Sequence, residues 1–173
     1  MLRPATDADS ATLRAWRNQE PNRAVSTYQH EISAEEHERW WTAVQADPSR
    51  RVLVFEYAGR PLGAVTFFDI EPASAGWGFY LDSETVTAEG IAMMAWIQVM
   101  KDATAYAFDE LGVEELTGEV DQGNEAVRTM NRRFRFTEGA PRTLDDGRVF
   151  LPISLRREDR RPQRSRTAEE NSQ

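Results

Sequence analysis

The sequence predicts a mixed α/β domain with the element order β-α-α-β-β-β-α-β-α-β-β. Three observations carry that prediction. Residues 52–57 and 62–69 are apolar runs on either side of Ala58-Gly59-Arg60-Pro61, the pattern of a tight β-hairpin. The strand-like Gly76-Trp77-Gly78-Phe79-Tyr80-Leu81 is followed by a loop containing Gly90-Ile91-Ala92 and then by a long helix ending near Gly112. The stretch from Glu115 to Gly139 reads as a short strand, a helix entered at Asn124 and a strand begun by Phe134 and Phe136.

The remaining elements follow in order. Residues 2–5 form a first strand, and Thr6 or Asp7 caps a helix that runs to about Trp16. Residues 18–32 hold Pro, Asn and Ser without a clean period and read as a loop. Ser33 followed by Glu36 is a capping box that opens a helix to about Gln45. Residues 75–82 form the strand before the Gly90 loop. Asp145-Asp146-Gly147 makes a second hairpin turn within 144–149, and residues 150–155 close the sheet. Residues 156–173 contain one apolar residue, Ala168, and are expected to be a disordered, Arg-rich tail behind a single domain over 1–155.

At 173 residues and 40% hydrophobic, the chain is long and apolar enough for one domain with a sizeable core. It has no cysteine, which excludes disulfides, thiolate metal sites and a cysteine acyl-enzyme. The spacing of His30 and His37 fits no metal-ligand pattern, so no metal is expected. Residues 1–19 lack a signal-peptide core, and the longest apolar run, 91–97, is too short to cross a bilayer. The expectation is a cytoplasmic protein without a membrane partner. A net charge of −8 argues against nucleic acid and suits a cationic substrate, while leaving room for a local basic patch that holds a phosphate.

Strand, Gly loop, long helix, strand, Asn-led helix and Phe strand, in that order, resemble the acetyl-CoA half of the GCN5-related N-acetyltransferases (GNAT), and the likeness extends over residues 2–155. The resemblance implies a GNAT fold, a mixed central sheet of about seven strands flanked by about four helices, with acetyl-CoA as co-substrate. The pyrophosphate of coenzyme A needs clustered backbone N–H donors where a loop enters a helix. The family pattern for that loop falls on Thr87-Ala88-Glu89-Gly90-Ile91-Ala92, with Thr87 in place of the usual Arg or Gln and with Glu89 required to point away. Phe79, Tyr80 and Leu81 would hold the pantetheine arm and the oxyanion along a strand edge. Asn124 resembles the family Asn that bonds that arm and also reads as a helix cap. Arg133 reads either as a CoA phosphate ligand or as a solvated arginine. Phe136 falls on the Phe of a family Gly-Phe pair, and Arg135 replaces the Gly.

Acetyl transfer from a thioester requires a neutral amine, donors for the oxyanion and a stabilised leaving thiolate. The resemblance assigns Glu119 as base, acting through water; read alone, it is a carboxylate on an exposed strand face. Family members carry a Tyr seven residues after the Asn as general acid, and that position is Asn131, twelve residues after Glu119, which donates a hydrogen bond without giving up a proton. Tyr80 shares a strand face with Gly76 and Gly78 and is either a substitute acid, with substrate in the space the glycines leave, or a packing residue.

Trp16-Arg17-Asn18 and the later Ile32-Ser33-Ala34-Glu35-Glu36-His37 with its following Trp40-Trp41 resemble a subgroup acting on nucleotide-linked aminosugars, as in pseudaminic acid biosynthesis. That likeness implies substrate contacts from Arg17, Asn18 and His37, with Tyr28 as a stacking surface. The plain readings are a core-edge histidine for His37 and a favourable helix-dipole contact for Arg17. The function expected is acetyl transfer to the primary amine of a small molecule, an aminosugar foremost. Protein N-termini of the ribosomal-protein type, aminoglycosides and polyamines stand as alternative acceptors, and a non-catalytic acyl-CoA-binding protein as an alternative of another class. Exposed strand edges suit a homodimer.

Overall fold

The computed structural model describes residues 1–160. Strand β1 (Leu2–Pro4) leads through a 3-10 turn, Asp7–Asp9, into α1 (Ser10–Asn18), α2 (Glu20–Ala24) and α3 (Ala34–Ala46). Three antiparallel strands follow, β2 (Arg51–Tyr57), β3 (Arg60–Phe68) and β4 (Ser74–Leu81), and then α4 (Ser83–Ala88) and α5 (Ala92–Ala105). The chain continues through β5 (Glu115–Asp121), α6 (Glu125–Arg133), the two-residue strands β6 (Thr137–Glu138) and β7 (Arg142–Thr143), and β8 (Val149–Arg156). All eight strands join one mixed sheet in the order β1-β2-β3-β4-β5-β8-β6, with β7 also paired to β8. The β4–β5 pair is parallel and the others are antiparallel.

Strand alternation sends side chains to two cores, one on each face of the sheet. Leu53, Phe55, Val65, Phe67, Trp77 and Leu116 meet α5, whose Ala95, Val99 and Ala103 recur every fourth residue and form one helical face. Val52, Val54 and Ala64 face the other way, against Leu13 and Trp16 of α1 and Trp41 and Val44 of α3. Each fully buried aliphatic or aromatic side chain contributes roughly 1.5–3 kcal/mol by leaving water. Arg3 binds the first turn to the sheet: its guanidinium forks onto Asp9 through two bonds of 2.8 Å and reaches Glu56 of β2 at 2.8 Å. At helix starts, Ser33 Oγ accepts from the Glu36 N–H at 3.1 Å and Asn124 Oδ1 accepts from the Val127 N–H at 3.2 Å.

Several elements differ from the sequence expectation. The segment read as a loop over 18–32 contains α2, five residues long with Pro21 in its first turn, too short to show a period. The expected strand at Phe134 and Phe136 shrinks to Thr137–Glu138, because Phe134 caps α6 and Arg135 turns left-handed at φ 69°. Of the tail expected to be disordered from residue 156, Arg156 ends β8 and Arg157–Asp159 form a 3-10 turn, and residues 161–173 lie outside the described residues.

Two predictions follow from the backbone and from Arg3. Ala58 at φ 50° and Arg135 at φ 69° hold conformations that a side chain disfavours by roughly 1–2 kcal/mol. Ala58→Asn and Arg135→Gly should each raise the denaturation midpoint, by about 1 kcal/mol in equilibrium unfolding. Arg3 holds the Asp9 carboxyl far below the usual carboxylate range, so the stability this pair contributes is present above the unfolded Asp value near ~3.9 and is lost as pH falls toward the folded one. Asp9→Asn should therefore lower the melting temperature at pH 7 and cost progressively less below about pH 4.

Candidate active site

The parallel ladder between β4 and β5 is three residue pairs long, ending at Gly76 opposite Thr117. Beyond it the strands separate, and β4 keeps its β3 neighbour while its other edge faces an opening. The backbone direction along that edge can be read from two glycines. The Trp77 carbonyl lies 3.3 Å from where a Cβ on Gly118 of β5 would stand, and the Tyr80 carbonyl lies 2.5 Å from the same point on Gly63 of β3. Odd-numbered residues of β4 thus aim their backbone groups toward β5, and the Phe79 N–H and C=O face the opening with no strand opposite. The Leu81 carbonyl on the same edge accepts from Asn22 Nδ2 of α2 at 2.8 Å. Of the three residues expected to bind the pantetheine arm, Phe79 therefore keeps its backbone groups free for it, Leu81 spends its carbonyl within the protein, and Tyr80 points its backbone at β3.

The opening forms a cleft of about 470 Å³, walled by β4, β5 and α6. Thr87, Ala92, Asn124 and Asn131 line it, as expected of cofactor residues. Thr87 and Ala88 belong to α4 and not to a loop; the turn itself is Glu89 to Ile91, with Gly90 at φ 67°. The N–H groups of Gly90 and Ile91 are used within the turn, on the carbonyls of Thr87 and Val86. The donors left for an anion are those of the first turn of α5, at Ala92, Met93 and Met94, where no side chain caps the helix. Glu89 is turned onto Arg60 at 2.9 Å, and that guanidinium holds its carboxyl below its ordinary value.

Asn131 is 4% exposed, and its Nδ2 has no partner in the protein. The indole N–H groups of Trp77 and Trp96, which line the same cleft, are likewise buried without an acceptor. Buried donors without acceptors fit a ligand rich in carbonyl oxygens, as the amides and thioester of acetyl-CoA are. Nothing in the sequence distinguishes these two tryptophans from ordinary core residues. Arg133 lies on the exposed side of α6 and does not line the cleft.

Glu119 is on the other face of β5 from buried Leu116 and Val120, and it reaches the rim of the cleft. Its carboxylate accepts from Nη2 of Arg142 in β7 at 2.9 and 2.8 Å. Tyr80 is a packing residue: its hydroxyl donates to the Leu13 carbonyl at 3.2 Å, and burial pushes the phenol well above its ordinary value. The space beside Gly76 is filled by the Phe68 ring, whereas a Cβ on Gly78 would meet nothing within 4 Å.

On this second face a cavity of about 640 Å³ lies between the sheet and α1 and α3, and it shares Gly78, Phe79 and Tyr80 with the cleft. Arg17, Tyr28 and His37 line it, as expected of acceptor contacts. Arg17 donates Nη2 to the Tyr28 carbonyl at 2.9 Å, and its buried Nη1 has no partner. Burial lowers its pKa, against smaller upward pulls from Tyr80 and Glu36. His37 sits 3.1 Å from Ser10 Oγ with its ring 5.2 Å from Trp40, and burial pushes its pKa down, so the ring is neutral at pH 7. His30, Glu36 and Arg50 also line the cavity without having been assigned to it from the sequence. Asn18 is a clamp, not a ligand: its amide brackets Ile32, donating to the carbonyl at 2.9 Å and accepting from the N–H at 2.8 Å.

The segment over the cavity, residues 25–33, is held largely by such side-chain donors. Arg23 bonds the Gln29 carbonyl, Arg17 that of Tyr28, and Arg148, from the hairpin before β8, those of Ser26 and Thr27 at 2.9 and 2.7 Å.

The chain matches the model of the acetyltransferase (GNAT) domain over residues 1–137. Solved structures of similar fold include the N-acetyltransferase PseH of Campylobacter jejuni in complex with acetyl coenzyme A, at 18% identity and a TM-score of 0.65, covering 91% of this chain and 99% of that one. Another is the spermidine N-acetyltransferase of Vibrio cholerae in complex with CoA and spermine, at 16% identity and a TM-score of 0.77, covering 92% and 96%. No curated protein matches the chain in sequence. A sheet split between its parallel strands, with a capless helix start beyond the split, is thus accompanied by a family match over most of the chain. The chain belongs to the GNAT family of N-acetyltransferases, whose co-substrate is acetyl-CoA.

Proposed function

We propose that the chain acetylates the primary amine of a nucleotide-linked aminosugar by direct transfer in a ternary complex. Arg17 is the observation that carries this reading. Arg17 is half-buried, but its Nη1 is fully shielded from water with nothing to bond, a position that an anion would satisfy. Its unpartnered Nη1 belongs to a residue that lines the acceptor cavity; Arg50 lines the same cavity with its Nε on Asp47 at 3.2 Å. The one carboxylate there, Glu36, is engaged by His30 at 2.9 Å. The overall charge of −8 suits a cationic acceptor, but the buried side-chain atom of this cavity's lining that lacks a partner, Arg17 Nη1, is a cationic donor suited to an anionic one. Tyr28 and Trp40 supply aromatic faces for a planar base. Acetyl-CoA, bound in the cleft, supplies an activated acyl group. The chain's own residues hold its arm along Phe79, receive its pyrophosphate at the start of α5, and direct Asn131 Nδ2 toward the thioester end.

Thiol release from acetyl-CoA, measured against nucleotide aminosugars, aminoglycosides, polyamines and N-terminal peptides, tests the reading. Turnover should be confined to the nucleotide-linked sugars. Preferred turnover of a polyamine or peptide would sink this acceptor class, and tight acetyl-CoA binding with no turnover on any amine would favour a non-catalytic role. Arg17→Met should raise KM for the acceptor by about 10- to 100-fold, the worth of one charged hydrogen bond, while leaving KM for acetyl-CoA unchanged. Gly78→Val, placed where a side chain meets open space, should leave the melting temperature close to wild type and lower kcat/KM by about 100-fold, through misplacement at the junction of cleft and cavity.

A further inference from the structure

An acceptor amine arrives as an ammonium and must lose a proton before it attacks. Two pairs of ionisable side chains stand where they can serve it: Glu119 with Arg142 at the rim of the cleft, and His30 with Glu36 in the acceptor cavity. We propose that His30, oriented by Glu36, is the base that deprotonates the acceptor amine, and that Glu119 is a structural partner of Arg142. This rests on reading the cavity between the sheet and α1 and α3 as the acceptor site.

The geometry assigns the tautomer. His30 Nε2 lies 2.9 and 3.2 Å from the two oxygens of Glu36, so it carries the hydrogen and donates it to the carboxylate. In the neutral ring Nδ1 then keeps its lone pair. The ring stands edge-on to Tyr28, 6.5 Å between centroids, and lines the cavity that shares the Gly78–Tyr80 wall with the cleft.

The sign of the electrostatic change separates the two pairs. A proton taken by His30 turns a neutral ring beside a carboxylate into an ion pair. A proton taken by Glu119 dissolves an existing ion pair and leaves Arg142 facing a neutral acid. Apart from Tyr28, the other titratable groups of the cavity do not compete. Tyr80 donates its hydroxyl to Leu13, and His37 is buried with Nε2 on Ser10. Arg17 and Arg50, from α1 and from the turn before β2, are permanent cations that hold no lone pair for a proton. His30 is more than half exposed, so a proton taken there passes readily to solvent.

The step balances without any further reagent. The ammonium N–H bond breaks and the proton goes to Nδ1 of His30, while Nε2–H stays on Glu36. The neutral amine attacks the thioester carbonyl carbon; a C–N bond forms and the C–S bond breaks. The thiolate takes the second proton lost by the nitrogen and leaves as the thiol. His30 returns its proton to water.

The test compares wild type, His30→Ala, Glu36→Gln and Glu119→Gln on whichever amine the wild type turns over, so that it reads the base independently of the identity of the acceptor. His30→Ala should lower kcat by at least about 100-fold, lose the low-pH limb of the rate profile and leave KM for acetyl-CoA unchanged. Added imidazole should restore about a tenth or more of the lost rate, which a merely structural role would not allow. Glu36→Gln should lower kcat by a smaller factor and keep the low-pH limb, because the ring survives without its orienting carboxylate. A His30→Ala enzyme that keeps its rate and its low-pH limb would overturn the proposal, as would one that imidazole does not rescue. Loss of that limb in Glu119→Gln instead would return the role of base to Glu119.

Discussion

The active site depends on one interruption, the end of the β4–β5 ladder after its third residue pair. Two parallel strands that continued side by side would satisfy each other's backbone and leave no room. Here the Trp77 ring, stacked between Phe79 at 5.6 Å and Phe136 at 5.8 Å, fills the interior beneath the point of separation. Buried backbone groups seek partners, so the open edge at Phe79 is a standing demand for a peptide-like ligand. The carboxyl ends of β4 and β5 both lead into helices, α4 with α5 and then α6, so helix starts and strand edge converge on one place. Open α/β sheets place ligands where neighbouring strands part in this way.

The sheet also works as a partition. One face carries α5 and α6 and the cleft beside Phe79; the other carries α1 and α3 and the cavity proposed for the acceptor. Their common boundary is a few residues of β4, with Gly78 at the point where a side chain would otherwise stand. Two substrates of different chemistry can thus be held by separate elements and still meet across the thickness of one strand. The two glycines of that face differ: a Cβ on Gly76 would strike the Phe68 ring, so Gly76 serves packing, whereas Gly78, two residues on, borders open space.

Local chemistry made most of the fold readable from the sequence. Gly59 in the β2–β3 hairpin, the Ser33 cap and the Asn124 cap are residue types whose conformation or hydrogen bond is nearly self-sufficient. The elements misread were those set by the surroundings: α2 is too short to have a period, and the strand after α6 is cut down by the left-handed turn at Arg135. The site was legible where a residue's place in the order of elements determines its surroundings, as for Asn124, Asn131, Arg17 and His37, all of which line one of the two spaces. It was illegible where partners come from far along the chain. Nothing near Glu119 announces Arg142, nothing near Tyr80 announces the Leu13 carbonyl, and Asn18 reads as a ligand until Ile32 is found between its amide atoms.

The strap over the acceptor cavity has a consequence for how such a protein changes over time. Arginine and asparagine side chains from α1, α2 and the hairpin before β8 grip it by its carbonyl oxygens, which every amino acid provides. Ser26, Gln29, His30 and Ser33 add side-chain bonds of their own, whereas Val25, Thr27 and Tyr28 are not needed as side chains for that grip. Tyr28, whose carbonyl and not its hydroxyl is gripped, can be exchanged for another residue without loosening that grip, and the pins need not change when it does. A scaffold built this way can acquire a new acceptor through a few substitutions in one short segment, while the cofactor half stays as it is.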